Sequence, residues 1–327
     1  MKIATIGSHS ALQILKGAKE EGFGTIAICE KGREKLYQRY KVADEIILVD
    51  KYSDIINQQD RLKDAILIPH GTLVASVDLD ELTVPVFGSK ECMKKEASRK
   101  KQQEWFKRAG IRVPKEYAPE KIDRLSIAKF PGARGGKGYF LCRNKKEFEA
   151  KGKKLLKEGM LTKKDLENAF IQEYIIGVNF YITYFNSPLT GEVELFGMDR
   201  RYETNVDGLA RIPAKDQEGI SPSYVVVGNT PVVARESLLD KVFEIGESIA
   251  KAEPGMVGPF CLETMCTDSM EFVAFEISAR IVAGTNLYTQ GSPYSYLQYG
   301  PGMSMGRRIA MEIRKAIEQD KLDKVIS

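Results

Sequence analysis

One stretch of the chain, Phe260–Arg280, constrains the fold more than any other. Two apolar runs there flank a short polar turn centred near Ser269–Met270, a pattern that predicts an antiparallel β-hairpin. In that register Glu263 and Glu276 face each other across the two strands. Because directly opposed like charges destabilise a bare hairpin, we expect a cation to lie between the two carboxylates. Mg²⁺ binds carboxylate oxygens together with substrate phosphates, so we predict a magnesium–nucleotide site. The alternative is that the register is shifted by one residue and the glutamates form a solvated acidic face.

Residues 1–88 predict a parallel sheet. Short apolar runs alternate there with amphipathic stretches, as in a series of βαβ units. The expected strands are Ile3–Ile6, Thr25–Cys29, Glu45–Val49, Ala65–Pro69 and Val84–Phe87. This pattern predicts a Rossmann-like α/β domain.

Three further regions follow along the chain. Residues 89–117 predict a connecting segment whose charged helix ends at Gly110. Residues 118–177 predict short strands around a glycine-rich hairpin. Residues 178–327 predict a mixed α+β part that contains the glutamate hairpin and a closing helix.

Composition narrows the range of partners. Lys and Arg number 49 against 45 Asp and Glu, and the net charge of +4 is too close to balance to indicate nucleic acid. No apolar run approaches the roughly 18 residues that a membrane span needs. The five cysteines include no Cys-x-x-Cys pair, so neither zinc nor a disulfide framework is predicted. Reduced thiols and a cytoplasmic location are expected.

A glycine-rich loop lies within Ala128–Cys142, between two expected strands. Free N–H groups in such a loop form a nest for anions. The loop differs from a Walker loop, because glycine rather than Ser or Thr follows its last lysine. A surface hairpin without a ligand is the alternative. The glycines are Gly132, Gly135, Gly136 and Gly138, and the basic residues are Lys129, Arg134 and Lys137.

The segment Phe170–Gly177 predicts a buried strand that carries two polar residues, Gln172 and Glu173. Buried polar groups need partners. The amino group and ring nitrogens of adenine would supply them, with Glu173 and the main chain of residues 173–175 as the reading groups. An edge strand with one wet face is the alternative.

In this order the motifs resemble the ATP-grasp superfamily: an N-terminal βαβ domain, a lysine before a glycine-rich hairpin, a Gln-Glu-Tyr hinge and a final Glu…Glu-x-x-x-Arg. Ser278 stands where the superfamily usually has asparagine, which leaves Glu263 and Glu276 to carry the metal nearly alone. Longer strings resemble the archaeal formate-dependent ligases of purine synthesis, the 5-formaminoimidazole-4-carboxamide ribonucleotide synthetases. These strings are Gly7–Lys19, Pro131–Phe140, Asp199–Tyr202, Gly228–Ser237 and Phe275–Asn286.

The resemblance implies a reaction and its substrates. Formate would be joined to the 5-amino group of aminoimidazole carboxamide ribonucleotide (AICAR), with ATP split to ADP and phosphate and no folate used. Formyl phosphate would be the activated intermediate. Mg²⁺ or Mn²⁺ would serve as cofactor, and such enzymes tend to form homo-oligomers. Positioning and charge neutralisation dominate this chemistry, which is consistent with a chain that has only two histidines and no evident nucleophile–base pair.

The resemblance also implies roles for particular residues. His9 follows the first strand and precedes a helix, where ligands of open α/β sheets bind. It would orient the carboxamide or formate, or shuttle the amine proton. Arg99 would bind phosphate, although Lys100 and Lys101 compete for that role. AICAR would be held by His9, Ser76 and Asn229. Arg235 is a further candidate, because its guanidinium could pair with the substrate phosphate, with a surface helix charge as the alternative. The residues expected to hold ATP are Arg99, Lys129, Gly132, Gly135, Gly136, Lys137, Gln172, Glu173, Tyr174, Ile175 and Glu203.

Other functions stay open at this point. The chain is expected to be an enzyme, but a non-catalytic ATP-binding paralogue and an ATP-grasp ligase for a different amine are alternatives. A dinucleotide oxidoreductase is least favoured, because Gly7-Ser-His-Ser has one glycine where Gly-x-Gly-x-x-Gly needs three.

Overall fold

A computed structural model describes residues 1–130, 139–220 and 222–327 of the 327-residue chain. The chain begins with a parallel four-stranded sheet in the order β3-β2-β1-β4. Helices and a 3₁₀ stretch, Tyr52–Leu62, connect its strands, and they bury both faces of the central strands. The elements are β1 (Lys2–Ile6), α1 (Ala11–Glu20), β2 (Gly24–Glu30), α2 (Glu34–Tyr40), β3 (Glu45–Val49), β4 (Ala65–Leu67) and α3 (Gly71–Ser76).

The predicted parallel sheet is confirmed, but the strand expected at Val84–Phe87 is wrong. Among the described residues that segment makes two isolated bridges, a parallel one between Leu67 and Val86 and an antiparallel one between Phe87 and Ile326. Pro85 explains the difference, because a proline has no N–H to donate to a ladder. Its carbonyl still accepts a hydrogen bond from the N–H of Leu67.

The charged segment after the sheet forms two helices, α4 (Lys90–Glu96) and α5 (Arg99–Arg108), where one was predicted. Ser98 has an extended backbone and accepts a hydrogen bond from the N–H of Lys101. A serine in this conformation favours a helix start over a helix interior. The break therefore follows from local capping chemistry.

A small antiparallel sheet follows, in the order β5-β8-β6-β7. Phe130, Phe148 and Ile171 pack in its core. The glycine-rich loop joins β6 to β7, and most of it, residues 131–138, lies outside the described residues. The elements are β5 (Glu116–Tyr117), β6 (Ser126–Lys129), β7 (Tyr139–Cys142), α6 (Lys145–Lys157), α7 (Lys163–Glu167) and β8 (Phe170–Glu173).

The rest of the chain is built on an antiparallel five-stranded sheet in the order β11-β10-β9-β12-β13. Helices α9 and α11 cover it, and Phe260, Ile182 and Leu262 lie fully buried on it. The elements are β9 (Val178–Ser187), β10 (Glu192–Glu203), α8 (Val206–Leu209), β11 (Val226–Pro231), α9 (Leu239–Ala252), β12 (Gly258–Cys266), β13 (Phe272–Ser278), α10 (Pro293–Tyr299) and α11 (Met305–Glu318).

Helices α1 and α11 tie the two ends of the chain together. A Cβ added to Gly17 would overlap the backbone of Arg307, and one added to Gly306 would overlap the backbone of Gln13. The two glycines therefore allow the helix backbones to touch. This crossing holds the loop after β1, with His9, against the C-terminal part. No helix within the described residues is both long and apolar enough to cross a membrane.

Candidate active site

The predicted glutamate pairing is confirmed. Glu263 on β12 pairs with Glu276 on β13, although the turn between the strands centres on Ser269. A bulge reconciles the two facts: Thr264 pairs with Ala274, so one extra residue on β13 brings the glutamates opposite each other. Without that bulge Glu263 would face an aromatic residue.

The same register continues across the sheet. Glu263 also pairs with Tyr181 on β9, and Tyr181 pairs with Asp199 on β10. Cross-strand partners point to the same face of a sheet. The row Asp199, Tyr181, Glu263 and Glu276 therefore lines one face of the five-stranded sheet.

A cavity of about 670 Å³ lies between this face and the small sheet. It brings together predicted residues that are up to 177 positions apart, from Arg99 to Glu276. The sequence-predicted residues that line it are Arg99, Lys129, Gln172, Glu173, Tyr174, Ile175, Glu203, Glu263 and Glu276. The predicted Gly132, Gly135, Gly136 and Lys137 lie outside the described residues.

The two glutamates repel each other. The charge of Glu263, followed by burial, raises the pKa of Glu276 to about 7. Glu263 also forms an ion pair with Arg201 at 2.8 Å, and the Arg201 guanidinium lies 3.7 Å from the centre of the Tyr181 ring. Arg201 was not predicted as a site residue. Its signal was the string Asp199-Arg-Arg-Tyr202, which carried part of the family resemblance but was assigned no role at the site.

This donor set fits a hard divalent cation. Two carboxylates on adjacent strands supply the oxygen ligands that Mg²⁺ combines with substrate phosphates. Among the described residues no group of three or more His, Cys, Asp or Glu gathers into a metal cage. Ser278 pairs with Cys261 and is 3% exposed, and it does not line the cavity. Within the described chain, Glu263 and Glu276 are therefore the carboxylates that could hold such a cation.

Two basic side chains face the cavity on the side of the small sheet. Lys129 donates a hydrogen bond to the Oε1 atom of Gln172 at 3.2 Å. Burial, and then the charge of Arg99, lowers the pKa of Lys129. Of the three basic residues that competed for a phosphate role, Arg99 lines the cavity, whereas Lys100 and Lys101 are exposed and do not.

The hinge strand closes another wall of the cavity. Gln172 is 3% exposed, as predicted for a buried polar residue. The carboxylate of Glu173 pairs with Arg124 at 3.3 Å. Tyr174 shares a hydrogen bond of 3.3 Å with the hydroxyl of Tyr224.

Aromatic rings add to this wall. The ring of Tyr224 lies 5.1 Å from that of Tyr139, and both line the cavity. Neither was predicted as a site residue, because no local pattern distinguishes a cleft tyrosine from a core one. Nearby, burial raises the pKa of Glu203 to about 7, with a smaller contribution from Asp207.

His9 belongs to a second cluster at the ends of β1 and β4. It has a left-handed backbone (φ 53°), and its ring stacks on that of His70 with centroids 5.3 Å apart. Burial lowers the pKa of His9 to about 3, helped by His70, Arg280 and Arg201. His9 is therefore a neutral imidazole at physiological pH.

His70 serves the backbone. Its Nε2 atom donates to the carbonyl of Ile6 at 2.9 Å, and its Nδ1 atom accepts from the N–H of Thr72 at 3.2 Å. Its Nδ1 atom thus caps the start of α3, and its Nε2 atom ties that start to the end of β1. Next to it, a Cβ on Gly71 would lie 3.3 Å from Nε2 of His9 and 3.4 Å from Arg280. His9 and Arg280 therefore flank one small space above Gly71.

The segment 282–286 holds the His9 turn in place. Ser10 donates to the carbonyl of Val282 at 3.2 Å, and Asn286 donates to the carbonyl of His9 at 3.4 Å. Gln13 donates to Thr285 at 2.7 Å.

The same segment packs on Asp199. A Cβ on Gly284 would overlap the Asp199 carboxylate, which accepts a hydrogen bond of 2.6 Å from the amide nitrogen of Asn229. His9 and Asn229 were both predicted to bind the ribonucleotide. The segment 282–286 thus holds His9 directly and contacts Asn229 through Asp199.

Two other predicted residues are not joined to this cluster by any described contact. Ser76 is exposed at the last position of α3, and Arg235 is exposed after β11. Glu96, which was not predicted, pairs with Arg280 at 2.8 Å and accepts the N–H of Ala279. It orients the arginine of the Glu-x-x-x-Arg motif from a helix 184 residues earlier in the chain.

The three sheets and the cleft between the last two define an ATP-grasp protein. A crystal structure of an IMP biosynthesis protein PurP from Thermococcus kodakaraensis has a TM-score of 0.78 and 31% identity, with 99% of this chain and 100% of that chain covered. An ADP complex of purK, an N5-carboxyaminoimidazole ribonucleotide synthetase, has a TM-score of 0.65 over 96% of this chain and 76% of that chain. At 16% identity the second likeness concerns the fold alone.

The chain belongs to the family of 5-formaminoimidazole-4-carboxamide ribonucleotide synthetases, and the family expected from its motifs is confirmed. Relatives that carry this name from Methanothermobacter thermautotrophicus and Methanocaldococcus jannaschii are each 52% identical over 341 aligned residues. Each alignment covers 99% of this chain and 94% of the relative. Residues 3–117 match a protein of unknown function (DUF1246), and residues 147–327 match a domain of unknown function (DUF1297).

Proposed function

We propose that the protein joins formate to the 5-amino group of AICAR, with ATP split to ADP and phosphate, as a step of IMP synthesis. The observation that carries the proposal is the paired Glu263 and Glu276 in a cleft with Lys129 and Arg99, in a chain of this synthetase family. The two carboxylates suit a metal–nucleotide complex, and the basic residues suit its phosphates.

The chemistry needs an activated formate. One carboxylate oxygen of formate attacks the γ-phosphorus of ATP, the P–O bond to ADP breaks, and formyl phosphate forms. The 5-amino nitrogen of AICAR then attacks the formyl carbon, and the C–O bond to phosphate breaks. The nitrogen loses one proton, which the departing phosphate takes. ADP, phosphate and the formylated ribonucleotide are the products.

The residues of the cleft divide between the two ends of ATP. Lys129, Arg99 and Lys137 neutralise phosphate charge, and the backbone N–H groups of Gly132, Gly135 and Gly136 donate to the phosphates. Adenine is held by the hinge from Gln172 to Ile175, and Glu203 contacts the nucleotide. Bound Mg²⁺ or Mn²⁺, held by Glu263 and Glu276, would withdraw charge from the phosphates.

AICAR binds on the His9 side of the cleft. Because its pKa is about 3, His9 is neutral and acts by hydrogen bonding to formate or to the carboxamide rather than by storing a proton. Asn229 contacts the ribonucleotide from β11. Ser76 and Arg235 are both exposed, and they serve the outer end of the ribonucleotide, with Arg235 on its phosphate.

The test is product formation from the pure protein, ATP, Mg²⁺, formate and AICAR in the absence of folate. We expect ADP release that requires both formate and AICAR, and a formylated product whose carbon derives from labelled formate. A product that appears only with a formyl-folate donor would contradict the proposal. ADP release that is indifferent to AICAR would contradict it as well, because the ribonucleotide would then not be the acceptor.

A further inference from the structure

Asp199 is a buried carboxylate to which the reaction above assigns no role. It is 1% exposed and lies at the end of the row that continues through Tyr181 to the metal-binding glutamates. One of its oxygens accepts the 2.6 Å hydrogen bond from Nδ2 of Asn229. The other faces the backbone of Gly284, where a Cβ would overlap it. The carboxylate is therefore held from two sides.

The chemistry of this contact determines how Asn229 is oriented. Burial raises the pKa of Asp199 to about 6, whereas the hydrogen bond from Asn229 and the charge of Arg201 lower it. At neutral pH and above, most Asp199 side chains are ionised, and an ionised carboxylate only accepts hydrogen bonds. The NH₂ group of Asn229 must then point at Asp199.

The side-chain carbonyl oxygen of Asn229 stays available for a ligand. Within the described part of the chain, no residue donates a hydrogen bond to Oδ1 of Asn229. Asn229 is half-buried and pairs with Arg201 across β10 and β11. Its carbonyl oxygen is thus an acceptor without a donor among the described residues, and it is open to a ligand.

We infer that Asp199 is a positioning residue that makes Asn229 present a hydrogen-bond acceptor, and only an acceptor, to the ribonucleotide. The inference rests on the proposed function, in which Asn229 binds AICAR. Ionised formate has no N–H or O–H group to donate. Asn229 therefore binds a donor of the base or the ribose: an amine, a carboxamide N–H or a hydroxyl.

An exchange of the two side chains tests this orientation. In Asn229→Asp two carboxylates face each other, and AICAR binding is expected to weaken roughly 10- to 100-fold, as when a hydrogen bond to a charged group is lost. In the exchange Asp199→Asn with Asn229→Asp, the amide at 199 donates to the carboxylate at 229. That carboxylate again presents an oxygen to AICAR, so affinity within about threefold of the unaltered protein is expected. Titration calorimetry with AICAR and with ATP measures both sites.

Matched exposed changes control for charge. Asp268→Asn and Asn57→Asp together alter the same residue types at exposed positions and should leave both affinities unchanged. ATP affinity should also stay within about threefold in every variant. If Asn229→Asp does not fold, the exchange is compared with Asp199→Asn alone. The exchange should bind AICAR more tightly, because an amide at 199 opposite an amide at 229 permits both orientations.

The outcomes separate the possibilities. If the exchange restores the melting temperature but binds AICAR as weakly as Asn229→Asp, then the pair is structural or Asn229 acts as a donor, and the inference is wrong. If the unaltered protein does not bind AICAR at all, the proposed function fails, and the inference with it. Analogues that lack the carboxamide or a ribose hydroxyl then identify the donor: Asn229→Ala should cost no affinity for the analogue that lacks it.

Discussion

Replacing Glu276 by glutamine should stabilise the protein in metal-free buffer and abolish its turnover. Glu263 and Glu276 are directly opposed, and the pKa of Glu276 rises from 4.5 to about 7. At about 1.36 kcal/mol per pKa unit, this shift corresponds to about 3 kcal/mol of unfavourable free energy in the ionised, folded state. Because Glu276 is exposed to the cleft, solvent screening reduces the expected gain to about 1–2 kcal/mol.

The pH dependence has a definite sign. A carboxyl whose pKa is raised on folding destabilises the folded state once it ionises. The cost of Glu276 is small below pH 4.5, grows between pH 4.5 and about 7, and is constant above that. The gain from Glu276→Gln should therefore be full at pH 8 and only about half as large at pH 5.

Urea unfolding in the presence of EDTA, at pH 8 and pH 5, measures the effect. Asp268→Asn, an exposed change in the turn of the same hairpin, should alter the free energy of unfolding by less than about 0.5 kcal/mol at either pH. Added Mg²⁺ should stabilise the unaltered protein more than the variant. A Glu276→Gln protein that is no more stable at pH 8, or equally stabilised at both pH values, would refute the opposed-charge argument.

Three other changes probe the cleft and the core. Lys129→Met removes the cation that donates to Gln172, so the KM for ATP should rise at least about tenfold in steady-state assays with an unchanged melting temperature; an unchanged KM would exclude a phosphate contact. Tyr224→Leu removes the ring beside Tyr139 and should weaken ATP binding about 2- to 10-fold by calorimetry, with AICAR binding unaffected. The buried carboxylate of Glu194 pairs with Arg308 at 2.7 Å, and Arg308→Leu removes this cation. The free energy of unfolding, measured with urea, should fall by about 3–5 kcal/mol. A loss below about 1 kcal/mol would show that the buried pair is dispensable.

The prediction of the glutamate hairpin came from local pattern alone. Apolar runs and a polar turn define two strands, and counting outward from the turn pairs Glu263 with Glu276. The count succeeded because a bulge near Phe275 compensates for a turn that centres half a residue earlier than expected. A bulge depends on packing against the neighbouring strand, and no periodicity in the hairpin itself predicts it.

Segments that contain a residue with a strong backbone preference, such as Pro85 or Ser98, were predicted less well. The strand at Val84–Phe87 failed because hydrophobicity does not register the missing N–H of Pro85. The single helix over residues 89–110 failed because a charged helix face looks the same on both sides of Ser98. In both places the backbone hydrogen bonding of a single residue decided the secondary structure against the hydrophobic or charge pattern of its neighbours.

The sequence by itself determined the parallel sheet, the opposed glutamates, the family and nine of the residues that line the cleft, because each rests on a short motif or a local period. Only the tertiary structure decided the roles of Arg201, Glu96 and Asp199. Arg201 reaches Glu263 across the sheet, Glu96 reaches Arg280 from a distant helix, and Asp199 meets Asn229 from the neighbouring strand. The physical reason is burial. A buried charged side chain needs a partner, and that partner is set by the distant strand or helix that packs against it. The residues next to it in the chain do not show which element that is.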